Sequence, residues 1–210
     1  NFIPNSAVTA TYNFADDNLD DWNELVTGAL TPGAGYLVFS QDSYNGVGGQ
    51  FTYDYNTGDL NSGVITQPLH YNGTQVGSPN MLSNPYASGL NAFFFIGTNP
   101  QIDAVYFWEH GDAPMAGVPG PNGTGPNYNN DDVSAYNLLG GIAAASGTGI
   151  APNGIIATSQ GFGVFASAAG TATFNNAMRS TNGNTTLRTS EEDRNRVWLH
   201  IENTEFDLGA

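Results

Sequence analysis

Short segments in which apolar and polar residues alternate constrain this chain most. Alternation with a period of two puts the apolar residues on one face, which predicts half-buried β-strands. The clearest cases lie near the two ends, with apolar faces made by Val8, Tyr12 and Phe14 and by Val197, Leu199 and Ile201. No segment carries a sustained helical period, so the pattern favours an all-β fold.

Turn residues separate these segments. The 210 residues include 27 Gly and 11 Pro, which end strands and form turns. Further strands are predicted at 50–55, 64–69 and 104–109, whereas the apolar run 90–96 fits either a strand or a helical turn. We therefore expect one module over residues 1–210, an antiparallel β-sandwich or jelly roll with long Gly/Pro/Asn-rich loops.

The charge is strongly acidic. Nineteen acidic residues face four arginines and no lysine, for a net charge of −15. Such a surface repels phosphate backbones, which argues against nucleic-acid binding. No stretch is apolar and long enough to span a bilayer, so no membrane insertion is expected. The chain has no cysteine, which excludes disulfides and thiolate metal sites.

Calcium is the ligand that the acidic segments suggest. Asp16, Asn18 and Asp20 have the alternating oxygen spacing of calcium loops, although Asp21 and Thr27 replace the Gly and Glu of an EF-hand. The second candidate calcium site is 129–132 (NNDD), in which Asp131 and Asp132 would be the carboxylate ligands. This cluster ends a long segment, 111–132, that we interpret as an exposed loop. Solubility in a saline medium explains the acidity more simply than Ca²⁺ does.

Catalysis has little support in the sequence. Cys and Lys are absent, and the three histidines are far apart. Among the carboxylates Glu109 is the best candidate for a glycosidase pair, since it ends an aromatic strand beside His110. We interpret it instead as a strand-end acid in solvent, and expect no enzyme activity.

Several short motifs occur in an order that resembles a known group. They are residues 30–36 (LTPGAGY), 56–59 (NTGD), 81–86 (MLSNPY), 102–108 (IDAVYFW), 159–164 (SQGFGV), 174–179 (FNNAMR) and 196–199 (RVWL). In this order they resemble the β-sandwich modules of large exported proteins of Bacteroidetes-type bacteria, which often precede a type IX secretion sorting domain. The resemblance spans residues 25–202.

The resemblance implies export and display at the cell surface, and it carries no catalytic residue. Modules of this kind usually begin with another apolar strand and continue past the segment that matches RVWL. The chain therefore resembles part of a longer or repeating protein.

Two functions follow as expectations. The first is a structural or adhesive module that joins its neighbours by strand addition, using the terminal strands 8–14 and 197–201. The alternative is a carbohydrate-binding module of a secreted enzyme, with sugars stacking on Trp22, Trp108 and Trp198. The partners expected are thus other copies, adjacent domains or surface glycans.

Overall fold

The computed structural model describes residues 2–4, 22–24, 28–37, 58–109, 111–118 and 129–182. The strands predicted at 8–14, 50–55 and 197–201 lie outside these residues. The described residues form twelve strands, one α-helix and two 3₁₀ helices. In chain order the strands are β1 (Phe2–Pro4), β2 (Trp22–Glu24), β3 (Ile65–Leu69), β4 (Pro79–Ser83), β5 (Gly89–Asn91), β6 (Ala104–Trp108), β7 (Val133–Asn137), β8 (Gly140–Ile142), β9 (Ile155–Ile156), β10 (Gly161–Phe165), β11 (Gly170–Phe174) and β12 (Arg179–Ser180).

All pairing between the described strands is antiparallel. The largest sheet has the order β4-β10-β6-β7-β8, and smaller sheets are formed by β1-β2, β11-β3 and β12-β5-β9. The all-β prediction is confirmed, and the strands predicted at 64–69 and 104–109 are β3 and β6. The sandwich or jelly-roll arrangement stays a prediction.

The five-stranded sheet has one buried face and one partly exposed face. In β6, Val105 and Phe107 are buried, and the facing Ser134 of β7 is fully buried. Tyr106 and Trp108 alternate with them and project to the other side, as the period of two requires. Residues that follow β6 on the Val105 side therefore continue toward the protein interior.

The segment 90–96, for which the sequence allowed two structures, contains both. Leu90 lies in β5, and helix α1 (Ala92–Thr98) follows directly. The Asn91 side chain caps α1 by accepting a hydrogen bond from the amide of Phe94 at 3.2 Å. At the other end the backbone amide of Asn99 donates to the carbonyls of Phe95 and Ile96. The described residues contain no helix with the length and apolarity needed to cross a membrane.

α1 packs its buried side into the main apolar core. The Phe95 ring stacks on Phe174 of β11 at 5.0 Å and meets Phe162 of β10 edge-on at 5.5 Å. These three rings are each at most 1 % exposed, whereas the adjacent Phe94 is 53 % exposed. The helix thus joins two of the sheets through one aromatic cluster.

Candidate functional site

Glu109 and Asp132 lie opposite each other where the β6–β7 pair ends. Trp108 pairs with Val133, and one step further the Glu109 amide donates to the Asp132 carbonyl at 2.9 Å. Residues directly opposite in an antiparallel pair project to the same side, here the side of Val105 and Phe107. Glu109 is 6 % exposed and Asp132 0 %. The interpretation of Glu109 as a solvent-exposed acid is therefore wrong, because strand alternation turns it inward.

Asp132 ends a 3₁₀ helix, Asn130–Asp132, that begins after the capping residue Asn129. One carboxylate oxygen, Oδ1, accepts hydrogen bonds from the backbone amides of Gly111 and Asp112, both at 3.1 Å. The chain that leaves β6 is thus held against the start of β7. The prediction of an exposed loop through 132 is wrong at this end, since the ladder carries Asp132 into the interior.

Glu109 is held by the segment after β8. Its Oε2 accepts the amide of Thr148 at 2.8 Å and the Thr148 hydroxyl at 2.9 Å. A Cβ at Gly147 would overlap Oε2 and lie 2.9 Å from the Glu109 Cδ. Only glycine therefore lets the backbone approach the carboxylate this closely.

Ser146 completes the cluster. Its amide donates to the Asp131 carbonyl at 3.0 Å, which ties it to the 3₁₀ helix. A Cβ at Gly111 would overlap the Ser146 carbonyl, so these two backbones also lie in contact. Glu109, Asp132 and Ser146 thus share one small region, contributed by three chain segments.

Within the part of the chain that the structure describes, three buried side-chain oxygens of this region have no hydrogen-bond partner. They are Glu109 Oε1, Asp132 Oδ2 and Ser146 Oγ. Each carboxylate therefore has one oxygen with two donors and one oxygen with none. Buried polar oxygens nearly always have partners, and buried charges are normally paired or bound to a metal.

This arrangement offers only hard oxygen ligands. In the described part of the chain, no group of three or more His, Cys, Asp and Glu residues comes together as a metal site; the cluster has two carboxylates and a hydroxyl. Such a set suits a cation that prefers oxygen. It does not suit glycoside cleavage, in which both carboxyls must reach a substrate, because both side chains are buried.

The other predicted metal ligands do not join this cluster. Asp131 is exposed, and its Oδ2 accepts from Asn129 Nδ2 at 2.9 Å. Asp16, Asn18 and Asp20 lie outside the described residues.

The predicted sugar-binding tryptophans are described only in part. Trp108 is 45 % exposed on the outer face of the five-stranded sheet. On the same face Tyr106 meets Phe165 of β10 edge-on, with ring centroids 5.2 Å apart. Of Trp22 only the backbone is described, within β2, and Trp198 lies outside the described residues.

The β7–β8 hairpin carries three exposed apolar side chains, two in its turn and one at the end of β8. Leu139 is 97 % exposed, Leu138 49 % and Ile142 63 %. β8 pairs with β7 and ends the order of the five-stranded sheet. The assembly residues predicted from the sequence (Val8, Tyr12, Phe14, Val197, Leu199 and Ile201) lie outside the described residues.

Sequence reasoning missed Ser146 and the pairing of Glu109 with Asp132. One signal was present: Val105, Phe107 and Glu109 are two residues apart, so a buried face that includes the first two includes the third. No comparable signal marks Ser146, which lies in a small-residue segment.

Comparison with known protein families shows the family of this chain. The model of a domain of unknown function, DUF8693, matches residues 1–208, and the chain therefore belongs to this family. Searches of curated proteins and of solved structures gave no match.

Proposed function

We propose that this member of the DUF8693 family is a structural or adhesive module, without catalytic activity, of a secreted or cell-surface bacterial protein. We further propose that its copies associate through β8, the strand that ends the five-stranded sheet within the described residues. The observation that carries the proposal is the β7–β8 hairpin, which combines an edge strand with three exposed apolar side chains. Edge strands of this kind pair readily with another chain unless charge, proline or a covering segment prevents it.

The hairpin lacks two of these protections, charge and proline, while the backbone of Pro152 lies against Gly141 of β8. Residues 133–142 contain no charged side chain and no proline. The tip is built by the Asn137 side chain, which accepts the amide of Leu139 at 2.8 Å and fixes the turn. A fixed turn presents Leu139 to solvent at little further entropic cost on binding.

The acidic surface sets the condition for such association. A net charge of −15 keeps copies apart at low ionic strength. At physiological ionic strength, salt largely screens the repulsion between charges that are more than about 8 Å apart. Association through an apolar edge should therefore strengthen with salt, which fits export into a saline medium.

The test is the mass of the full chain in solution, measured by sedimentation across a salt series. We expect the wild type to associate more as salt rises, and Leu139→Asp and Ile142→Asp to remain monomeric. Leu60→Asp is the matched control, because Leu60 is 79 % exposed outside the hairpin. A wild type that stays monomeric at all salt and protein concentrations contradicts the proposal.

The terminal segments remain the other proposed assembly strands. A variant that lacks residues 1–14 tests the first of them in the same experiment. Loss of association in that variant, together with normal association of Leu139→Asp, would move the interface from β8 to the segment 8–14.

Carbohydrate binding is the second candidate, and the outer face of the five-stranded sheet favours it. Trp108 and Tyr106 are two residues apart on this face, and aromatic rings are the usual platform for sugars. A glycan array with the wild type and Trp108→Ala tests this function. Binding that is lost in Trp108→Ala supports it, and absence of any glycan hit with the wild type removes it.

A further inference from the structure

We propose that Glu109, Asp132 and Ser146 form a calcium site at the end of the β6–β7 pair. The ligands would be the three buried oxygens without partners, Glu109 Oε1, Asp132 Oδ2 and Ser146 Oγ. The site is independent of the proposed self-association, because all of its ligands belong to one chain and are buried.

The charge balance points to a divalent cation. Two carboxylates lie together in the interior, at 6 % and 0 % exposure. Two buried negative charges repel each other strongly, and burial of each without an opposite charge nearby is costly. One bound Ca²⁺ neutralises both charges and provides a partner for both free oxygens.

The ligand types favour Ca²⁺ over the other common metals. Zn²⁺ sites typically include His or Cys beside any carboxylate, whereas this cluster presents only carboxylate and hydroxyl oxygens. Ca²⁺ accepts six to eight oxygens in flexible geometry, and carbonyl groups and water commonly complete its shell. Mg²⁺ retains most of its water and rarely uses a cage of protein oxygens.

The surrounding hydrogen bonds hold the ligands in place. The Oδ1 atom of Asp132, which is not a proposed ligand, accepts hydrogen bonds from two backbone amides. The Oε2 atom of Glu109 accepts hydrogen bonds from the amide and the hydroxyl of Thr148. Ligand carboxylates in metal sites are characteristically oriented by such partners. Glycine at 147 lets the Thr148 segment approach Glu109, so the backbone is shaped around the carboxylate.

This site differs from the one that the sequence suggested. Asp132 is common to both, but its exposed neighbour Asp131 is replaced by Glu109 and Ser146, which are distant in sequence. Asp131 contributes its backbone carbonyl to Ser146, and its side chain is held by Asn129.

The first experiment measures Ca²⁺ in the full chain. After purification with Ca²⁺ and removal of free metal, we expect one Ca²⁺ per chain by elemental analysis. Thermal unfolding should occur roughly 5–10 °C higher in Ca²⁺ at a hundredfold excess over its Kd than in chelator. Mg²⁺ should give a much smaller shift. An unchanged unfolding temperature in millimolar Ca²⁺, with no bound metal, overturns the proposal.

Variants then assign the ligands. Glu109→Gln and Asp132→Asn should abolish the Ca²⁺-dependent shift yet fold in chelator, because each removes one buried charge. Asp131→Asn is the matched control and should keep the full shift. If a variant fails to fold, Ser146→Ala replaces it, since it removes a neutral ligand and should weaken Ca²⁺ binding at least tenfold.

Two other results would reject the assignment. Ca²⁺ binding that survives in Glu109→Gln but is lost in a variant with Asp16→Asn and Asp20→Asn would place the metal at the acidic segment near the start. One bound Ca²⁺ per chain that is retained equally in Glu109→Gln, Asp132→Asn and Ser146→Ala would place the metal elsewhere in the chain.

Discussion

The backbone amide of Glu109 donates to the carbonyl of Asp132 at 2.9 Å, and the carboxylates of the same two residues are both buried. One cross-strand contact therefore brings together two acids that are 23 positions apart in the chain. The same contact closes the ladder between β6 and β7, so the stability of the sheet and the geometry of the cluster depend on each other.

Gly147→Ala should destabilise the protein through this cluster. The new Cβ would overlap Glu109 Oε2, and Glu109 cannot withdraw without loss of its bonds to Thr148. Overpacking of this kind costs about 1–3 kcal/mol. Gly97→Ala is the control: nothing lies within 4 Å of its Cβ position in α1, and alanine there should stabilise by about 0.5–1 kcal/mol. Urea unfolding measures both changes, and equal effects of the two variants would contradict the prediction.

Asn84→Ala should be among the most damaging polar substitutions. Asn84 is 3 % exposed, and its Nδ2 donates to the carbonyls of Ser88, Ile156 and Ala157. Without the Asn84 side-chain amide, these buried carbonyls have fewer hydrogen-bond donors. The free energy of unfolding should therefore fall by about 2 kcal/mol.

Asn153→Ala provides the comparison for Asn84. Asn153 is exposed and accepts one bond, from the amide of Ile155 at 2.9 Å. Its loss should cost less than about 1 kcal/mol by the same urea measurement. If Asn84→Ala lowers the free energy of unfolding no more than Asn153→Ala does, water replaces the lost donor.

Tyr86→Phe should lower stability by about 1 kcal/mol at neutral pH, because the Tyr86 hydroxyl donates to the Gly63 carbonyl at 2.7 Å. Burial raises the pKa of Tyr86 above 10.0, and the nearby Arg179 guanidinium opposes this rise. Above pH 10 the unfolded chain therefore loses the Tyr86 proton before the folded one does, and the stability of the wild type falls. The difference in the free energy of unfolding between the wild type and Tyr86→Phe should therefore decrease as the pH rises from 10 to the folded-state pKa. A deficit that is constant with pH would show that Tyr86 titrates equally in both states.

Phe95→Ala should be severe, and Phe94→Ala should be mild. Phe95 is fully buried between Phe162 and Phe174, so its truncation leaves a cavity that costs about 3–5 kcal/mol. Phe94 is 53 % exposed on the same turn of α1, and its loss should change stability by less than about 1 kcal/mol. Calorimetric unfolding temperatures of the two variants give the comparison, and similar losses would contradict the packing of α1.

Much of the described fold follows from local patterns. β6 was predictable because five consecutive apolar or aromatic residues end at an acid and a turn. α1 was not, since Phe93, Phe94 and Phe95 suit a strand equally well. The decision there comes from capping: Asn91 and Asn99 satisfy the end groups of a seven-residue helix, and Phe95 fills the core between two sheets.

The glycines were predictable in part. Two glycines in the segment 32–36 (PGAGY) indicate a turn with positive φ or a close backbone approach. Gly33 has a φ of 85°, and a Cβ at Gly35 would lie 2.8 Å from Met81. The cluster around Glu109 could not be predicted from local sequence patterns, because its residues come together only through the register of β6 and β7. Register is a long-range property that depends on which buried faces match, and Asp132 in isolation resembles any residue of an acidic turn.

The pairing of β3 with β11 and of β4 with β10 has a consequence for how the chain folds. Ile65 pairs with Phe174, and Pro79 with Phe165, so two nested pairings enclose everything from β5 to β9. Contacts so distant in sequence carry a large loop-closure entropy and slow the search for the native topology. We therefore expect folding in milliseconds to seconds. Because the nested strands hold both sides of the enclosed segment, a single cut at the exposed Leu138–Leu139 tip should leave two fragments that remain associated.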